Sequence, residues 1–279
     1  MMKRKLMLIL PLIAFVLILG AGGQQHTNST EASTDSGYHR PTLLIHGFHA
    51  GERTYDHFID LAEQKHKAQY ALTAVINGER INYYGDWTRT MSHPLIKVVF
   101  ANNRASWDRN ATWLNHLLDQ LRNRYHVHSF DAIAHSRGTL DLLTAYSHSQ
   151  PLQLRRAVLV AGPYDGAYRR DDFPHANRIL SNGKPLIKHP EYRELVRNAQ
   201  FFPDGVHVLN IMGDSHWHGT NSDGKVANVS SEALWPAMGP RFSSYREMTV
   251  YGHDASHHLI IRRNHRVMDA AMRFLWHES

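Results

Sequence analysis

Residues 132–143 read AIAHSRGTLDLL. An apolar run that suits a buried strand leads into Ser136, and an apolar-periodic run that suits a helix leads away from it. The pattern small-x-Ser-x-Gly marks a sharp strand-to-helix turn that lifts a serine hydroxyl above a sheet. The turn is so tight that side chains two residues before and two after the serine collide unless they are small. Ala134 and Gly138 meet that demand, with a methyl group where the first glycine usually stands. A serine before a helix is also a favoured N-cap, so the pentapeptide alone does not separate a nucleophile from a cap. The rest of the chain has to supply an oxyanion hole, an acid and a base.

Working outward, strand-like and helix-like segments alternate. Strands are expected at 41–45 (PTLLI), 95–101 (LIKVVFA), 129–134, 155–163 (RRAVLVAGP), 206–213 (VHVLNIMG) and 247–252 (EMTVYG). ALTAVIN and INYY, joined through a glycine-containing turn, read as a hairpin. Helices are expected at 55–65, 111–125, 137–146 and 262–276; the second carries Trp113, Leu114, Leu117, Leu118 and Leu121 at amphipathic spacing. This alternation predicts an α/β fold, a mostly parallel sheet with helices on both faces. Residues 164–204 break the rhythm directly after a strand end, where ligand sites of open α/β sheets form. They read as a small cap insertion, with an ordinary surface insertion as the alternative.

The stretch LLIHGFHAG (43–51) ends the first strand in His46-Gly47. A loop there supplies one oxyanion N–H in such sites, and the residue after the nucleophile supplies the other. The expected donors are the backbone N–H groups of Phe48 and Arg137. An acid and then a histidine must follow the serine in chain order. Asp214, after VLNIMG, and Asp223, in NSDGKVANVSS, are the acid candidates. The loop YGHDASHHL offers His253, His257 and His258, and order and placement do not choose among them. A metal site built from His216, His218, His253, His257 and His258 is a competing reading. It lacks helical spacing and any Cys or Glu-rich partner, so no metal and no cofactor is expected.

The ends and the composition set the context. Lys3, Arg4 and Lys5 precede an uncharged apolar run from Leu6 to Leu19 and the small residues Ala21-Gly22-Gly23. Residues 1–23 therefore read as an export signal, or as a membrane tether through residues 6–23. Residues 24–37, rich in Ser, Thr and Gln, read as a flexible spacer, and residues 38–279 as the folded domain. The expected location is secreted or at the cell surface. Of 279 residues none is Cys, which excludes disulfides and lipid attachment through an N-terminal cysteine. Half of the formal charge of +6 belongs to Lys3, Arg4 and Lys5, too little remaining to argue for a nucleic-acid partner. The 22 histidines are scattered, and most are expected to face solvent.

Several motifs in register, from about Pro41 to Trp276, resemble a known family. They are the IHG strand end, ALTAVINGERINYYG, FANNRAS followed by ATWLNHLLDQLRNRY, AHSRGT, VAGPYDG, VLNIMGD, NSDGKVANVSS, and ASHH…RNHRV running to FLW. The family is the exported α/β-hydrolases of low-GC Gram-positive bacteria, often described as cell-surface hydrolases. The resemblance implies an α/β-hydrolase fold, with Asp223 of the Ser-Asp-Gly triplet as the acid and His257, after Ala-Ser, as the base for Ser136. The chain departs from the family's usual Gly-His-Ser-Met-Gly-Gly elbow at Ala134, Arg137 and Thr139. Its tail after the histidine is longer by about one residue than the family's Ser-x-Leu-His-Glu-Asn.

Together these readings predict an exported serine hydrolase acting on a small or lipid-like carboxylic ester through an acyl-enzyme. An amidase or thioesterase would use the same residues. A non-catalytic cell-surface binding protein on the same scaffold is the alternative from another class, discriminated by whether Ser136→Ala abolishes function. No long apolar lid helix is expected in 164–204, which leans against action at oil interfaces.

Overall fold

The computed structural model describes residues 39–216, 219–252, 257–259 and 261–276. The export signal, the spacer, His218 and His253 lie outside these residues. The expected alternation is present as an eight-stranded sheet in the order β3-β2-β4-β1-β5-β6-β7-β8. The strands are β1 (Thr42–Ile45), β2 (Gln69–Asn77), β3 (Arg80–Tyr84), β4 (Pro94–Phe100), β5 (Ser129–His135), β6 (Gln153–Val160), β7 (Val206–Asp214) and β8 (Phe242–Tyr251). Every neighbouring pair is parallel except β2 and β3. Those two form the expected hairpin: Asn77 pairs with Arg80 across Gly78-Glu79, and Gly78 has φ of 65°. A positive φ at the first central residue of a two-residue turn is the geometry that glycine permits and the strand twist prefers.

The central strands are apolar on both faces because both are covered. Along β1, Leu43 and Ile45 pack to one side, against α2 (Trp107–Tyr125) and α3 (Arg137–His148). Leu44 packs to the other, with residues of α1 (Asp56–Gln64) and of the last helix, α7 (His265–Trp276). Between β6 and β7 lies α4 (Pro190–Asn198); α5 (Asn228–Glu232) and α6 (Leu234–Met238) lie between β7 and β8. Two elements, α2 and β8, begin four or five residues earlier than the apolar pattern suggests. The first turn of α2 is polar, and Ser106 Oγ caps it by accepting the Arg109 N–H at 3.4 Å. β8 starts at Phe242 because an edge strand pairs through its backbone on one side only and needs no continuous apolar run.

β1 has β4 on one side and β5 on the other. The chain therefore leaves the carboxyl ends of β1 and β5 at the point where strand order reverses, which opens a crevice above them.

Candidate active site

Ser136 sits at φ 56°, ψ −131°, a conformation that costs a non-glycine residue on the order of 1–3 kcal/mol and persists only where the surroundings enforce it. The enforcement comes from tight backbone packing. A Cβ added to Gly138 would lie 2.6 Å from the carbonyl oxygen of His46 and 2.8 Å from that of Ile45. One added to Gly47 would lie 2.9 Å from both the His135 oxygen and the Ser136 Cβ. The two glycines let the end of β1 and the start of α3 touch. Beneath them the buried Tyr55 hydroxyl is 3.0 Å from the Ile45 oxygen and 3.3 Å from the Ile133 oxygen, tying the ends of β1 and β5 together. Ser136 N–H donates to the Val160 oxygen at 2.8 Å, and Thr139 Oγ1 donates to the Ser136 oxygen at 2.8 Å.

The loop after β1 is pinned from several directions. Phe100 N–H donates to His46 Nε2 at 3.2 Å, so the neutral ring carries its proton on Nδ1, 2.9 Å from the Gly47 oxygen. Burial, the largest cause, lowers the His46 pKa. Asn103 accepts from His49 N–H at 3.1 Å and from Arg137 Nη2 at 3.2 Å through its carbonyl, and its amide donates to the Ala50 oxygen at 2.8 Å. Phe48 and Arg137 both line one cavity with Ser136. Arg137 opens α3, where no carbonyl one turn earlier accepts its N–H.

Asp223 is the carboxylate that turns toward the serine. Its Oδ1 accepts the N–H groups of Lys225 at 2.9 Å and Val226 at 2.8 Å, and its Oδ2 lies 2.6 Å from His258 Nδ1. His258 Nε2 lies 2.9 Å from Ser136 Oγ. With Nδ1–H donating to the carboxylate, Nε2 is left to accept the serine hydroxyl. The backbone repeats the link: His258 N–H donates to the Asp223 oxygen at 2.9 Å. His135 Nε2, 2.8 Å from the His258 oxygen, holds the same residue from below, and burial lowers the His135 pKa well below the usual value.

The histidine assignment is therefore corrected. Ser136 and Asp223 come together with His258, not with His257. The neighbouring His257 is half-buried; its carbonyl accepts from Ile261 N–H at 2.8 Å and its Nδ1 is 3.5 Å from Leu259 N. Adjacent loop residues point in different directions, and the backbone bond from residue 258 to Asp223 selects which one faces the serine. Asp214 is used elsewhere: its Oδ1 accepts His216 N–H at 2.9 Å and its carbonyl accepts Gly252 N–H at 3.0 Å. Among the described residues no cluster of three or more His, Asp or Glu is arranged to hold a metal.

The cavity above Ser136 has a volume of about 630 Å³, within the range of small-molecule sites. Its walls hold residues the sequence reading did not select, among them Trp107, Arg262, and Pro163, Ala167, Tyr168 and Arg170 from the start of the 164–204 region or just before it. That region is anchored by Asp165, whose carboxylate accepts His189 N–H at 2.7 Å and Asn177 Nδ2 at 2.8 Å. Under the elbow, Arg137 packs over the Phe48 ring at 4.8 Å, with its Nε 3.8 Å from Asp141 Oδ1. Asp141 also accepts from Asn110 Nδ2 at 3.0 Å; burial pushes its pKa up to about 7, against the opposing pull of Arg137.

A sharply turned serine over a parallel sheet, backed by an imidazole and a carboxylate, defines an α/β hydrolase. The chain belongs to the family described as alpha/beta hydrolase of unknown function (DUF915), whose model matches residues 29–278. A solved gene product of Listeria innocua (lin2722) is 26% identical with a TM-score of 0.78, over 86% of this chain and 95% of that one. A protein named as a candidate cell surface hydrolase of Lactobacillus plantarum is 22% identical with a TM-score of 0.70, over 86% and 93%. Bacillus licheniformis lipase BlEst2 in its propeptide form shares the fold at 12% identity, with a TM-score of 0.53 over 86% of this chain and 51% of that one. No curated protein matches the chain. Among the described residues no helix is long and apolar enough to cross a membrane.

Proposed function

We propose that this protein is an exported serine hydrolase that cleaves carboxylic esters outside the cell membrane. The observation that carries the reading is the continuous hydrogen-bonded chain Ser136 Oγ–His258–Asp223, at 2.9 and 2.6 Å, on a serine held at positive φ. Ser136 Oγ forms a bond to the ester carbonyl carbon while its proton passes to His258 Nε2. Asp223 fixes the imidazole tautomer and stabilises the imidazolium. The N–H groups of Phe48 and Arg137 receive the negative charge that develops on the carbonyl oxygen. On collapse the C–O bond to the alcohol breaks, and His258 returns its proton to the leaving oxygen. Water then repeats the sequence on the acyl-enzyme, releasing the carboxylic acid and restoring Ser136. Location outside the membrane is supported by the basic-then-apolar start of the chain and by the name of the Lactobacillus relative.

The test is labelling with a fluorophosphonate probe. The parent chain is expected to label, and Ser136→Ala and His258→Gln are expected not to. A folded parent that stays unlabelled would overturn the enzyme reading in favour of the surface-binding alternative.

A further inference from the structure

We infer that the ester cleaved at Ser136 carries an anionic group, carboxylate or phosphate, near the scissile bond; this rests on the esterase reading above. The cavity that holds Ser136 is lined by five cationic residues, Arg104, Arg137, Arg170, Lys225 and Arg262, and among the described residues no Asp or Glu lines it. They do not come from one charged run. They stand on the loop before α2, the first turn of α3, the start of the 164–204 region, the loop after β7 and the turn before α7. Five separate segments of the fold thus deliver positive charge to one space.

Two of the five have carboxyl groups beside them outside the cavity. Arg170 pairs with Asp171 and Glu191, and Arg137 faces Asp141 at 3.8 Å. The other three have no carboxylate partner among the described residues. Arg104 and Lys225 are exposed and suit long-range attraction at the mouth. Arg262 is half-buried in the wall beside His258 and Leu259. Its Nη1 is 3.4 Å from the Thr54 oxygen, and its buried Nε has no partner. A guanidinium has five donors, and the bond to Thr54 uses one of them. Burying an unneutralised guanidinium costs stability unless something answers the charge. An anion on the substrate answers it, while Phe48, Trp107 and Tyr168 give the rest of the substrate an aromatic surface.

The test uses the full chain and three para-nitrophenyl esters of equal acyl length, ending in a methyl, a carboxylate or a trimethylammonium group. A monoacylglycerol and its glycerol-phosphate counterpart form a second pair. The first set places the anion on the acyl side and the second places a phosphate on the alcohol side, so the two sources separate. We expect kcat/KM for the anionic member of at least one set to exceed the neutral one by about tenfold or more, with the cationic ester slowest. The preference should shrink as salt rises from about 0.01 M to about 1 M, over which the screening length contracts from about 30 Å to about 3 Å. Arg262→Gln should lower the anionic-to-neutral ratio and Arg262→Lys should restore part of it. Arg80→Gln, on the far edge strand, should leave the ratio alone. Fluorophosphonate labelling of every variant reports whether the serine site is intact. Labelling without an anionic preference, or a ratio indifferent to Arg262→Gln, overturns this inference and leaves the esterase reading standing. Absence of both labelling and turnover in the parent overturns both.

Discussion

In the half of the site built from β1, β5 and α3, the decisive contacts run from backbone to backbone. In the half built from the loops after β7 and β8, a single backbone bond from His258 to Asp223 is joined by contacts that run through side chains. Gly47 and Gly138 allow carbonyls and Cα atoms to approach so closely that a methyl group has no place. Asp223 and His258 instead depend on carboxylate and imidazole atoms aimed at each other across 35 residues of sequence. The contrast separates how each half should fail. Damage to the glycines of the first should appear as lost stability, and damage to Asp223 or His258 in the second as lost rate with the fold retained.

The largest expected effect lies in the second half. His258→Gln should lower kcat/KM for a para-nitrophenyl ester by about 10⁴-fold or more, while His257→Gln should stay within a few-fold of the parent. Asp223→Asn should also cost about 10⁴-fold. The new Oδ1 can still accept from Lys225 and Val226, but the amide cannot accept the imidazole N–H. Both variants should unfold in urea close to the parent midpoint. A large stability loss in Asp223→Asn would erase the contrast.

Gly138→Ala tests the first half. Its Cβ meets two backbone carbonyls rather than a movable side chain, so destabilisation of about 1–3 kcal/mol is expected from urea titration. A neutral result would mean that the elbow is less constrained than its distances imply.

Smaller effects should appear in pH dependence, where buried groups of the two kinds pull in opposite directions. His46 and His135 have pKa values lowered chiefly by burial. The stability tied to their neutral rings is complete above the ordinary imidazole value of about 6.5 and is lost as pH falls below it. His135→Gln, which can still donate to the His258 carbonyl, should flatten that acid-side loss. Asp141, pushed up to about 7 by burial, acts in the reverse sense. Its folded form prefers the proton, so stability falls as pH rises from about 4 to 7. Relative to the parent, Asp141→Asn should therefore become steadily more stable over that interval. Parallel curves for parent and variant would show that Asp141 does not titrate there. His46, His135 and His258 are buried exceptions among the 22 histidines.

What could be read along the chain was whatever depends on short-range pattern. Alternating apolar runs located the strands, and the small-Ser-small turn located Ser136, because steric limits at a tight turn act within five residues. His46-Gly47 marked the second backbone element for the same reason. The acid and base were legible only as classes and order. Resemblance pointed to Asp223 over Asp214, and Asp223 is joined to the histidine beside Ser136, yet it picked His257 where His258 faces the serine. Neighbouring loop residues are chemically identical until tertiary hydrogen bonds orient them, here from His258 N–H to the Asp223 carbonyl and from His135 to the His258 carbonyl. The cationic wall was equally hidden, because Arg104, Arg137, Arg170, Lys225 and Arg262 are spread over more than half the chain. Local sterics are written in adjacent residues; convergence of distant side chains on one cavity is settled only when the sheet brings their loops to the same edge.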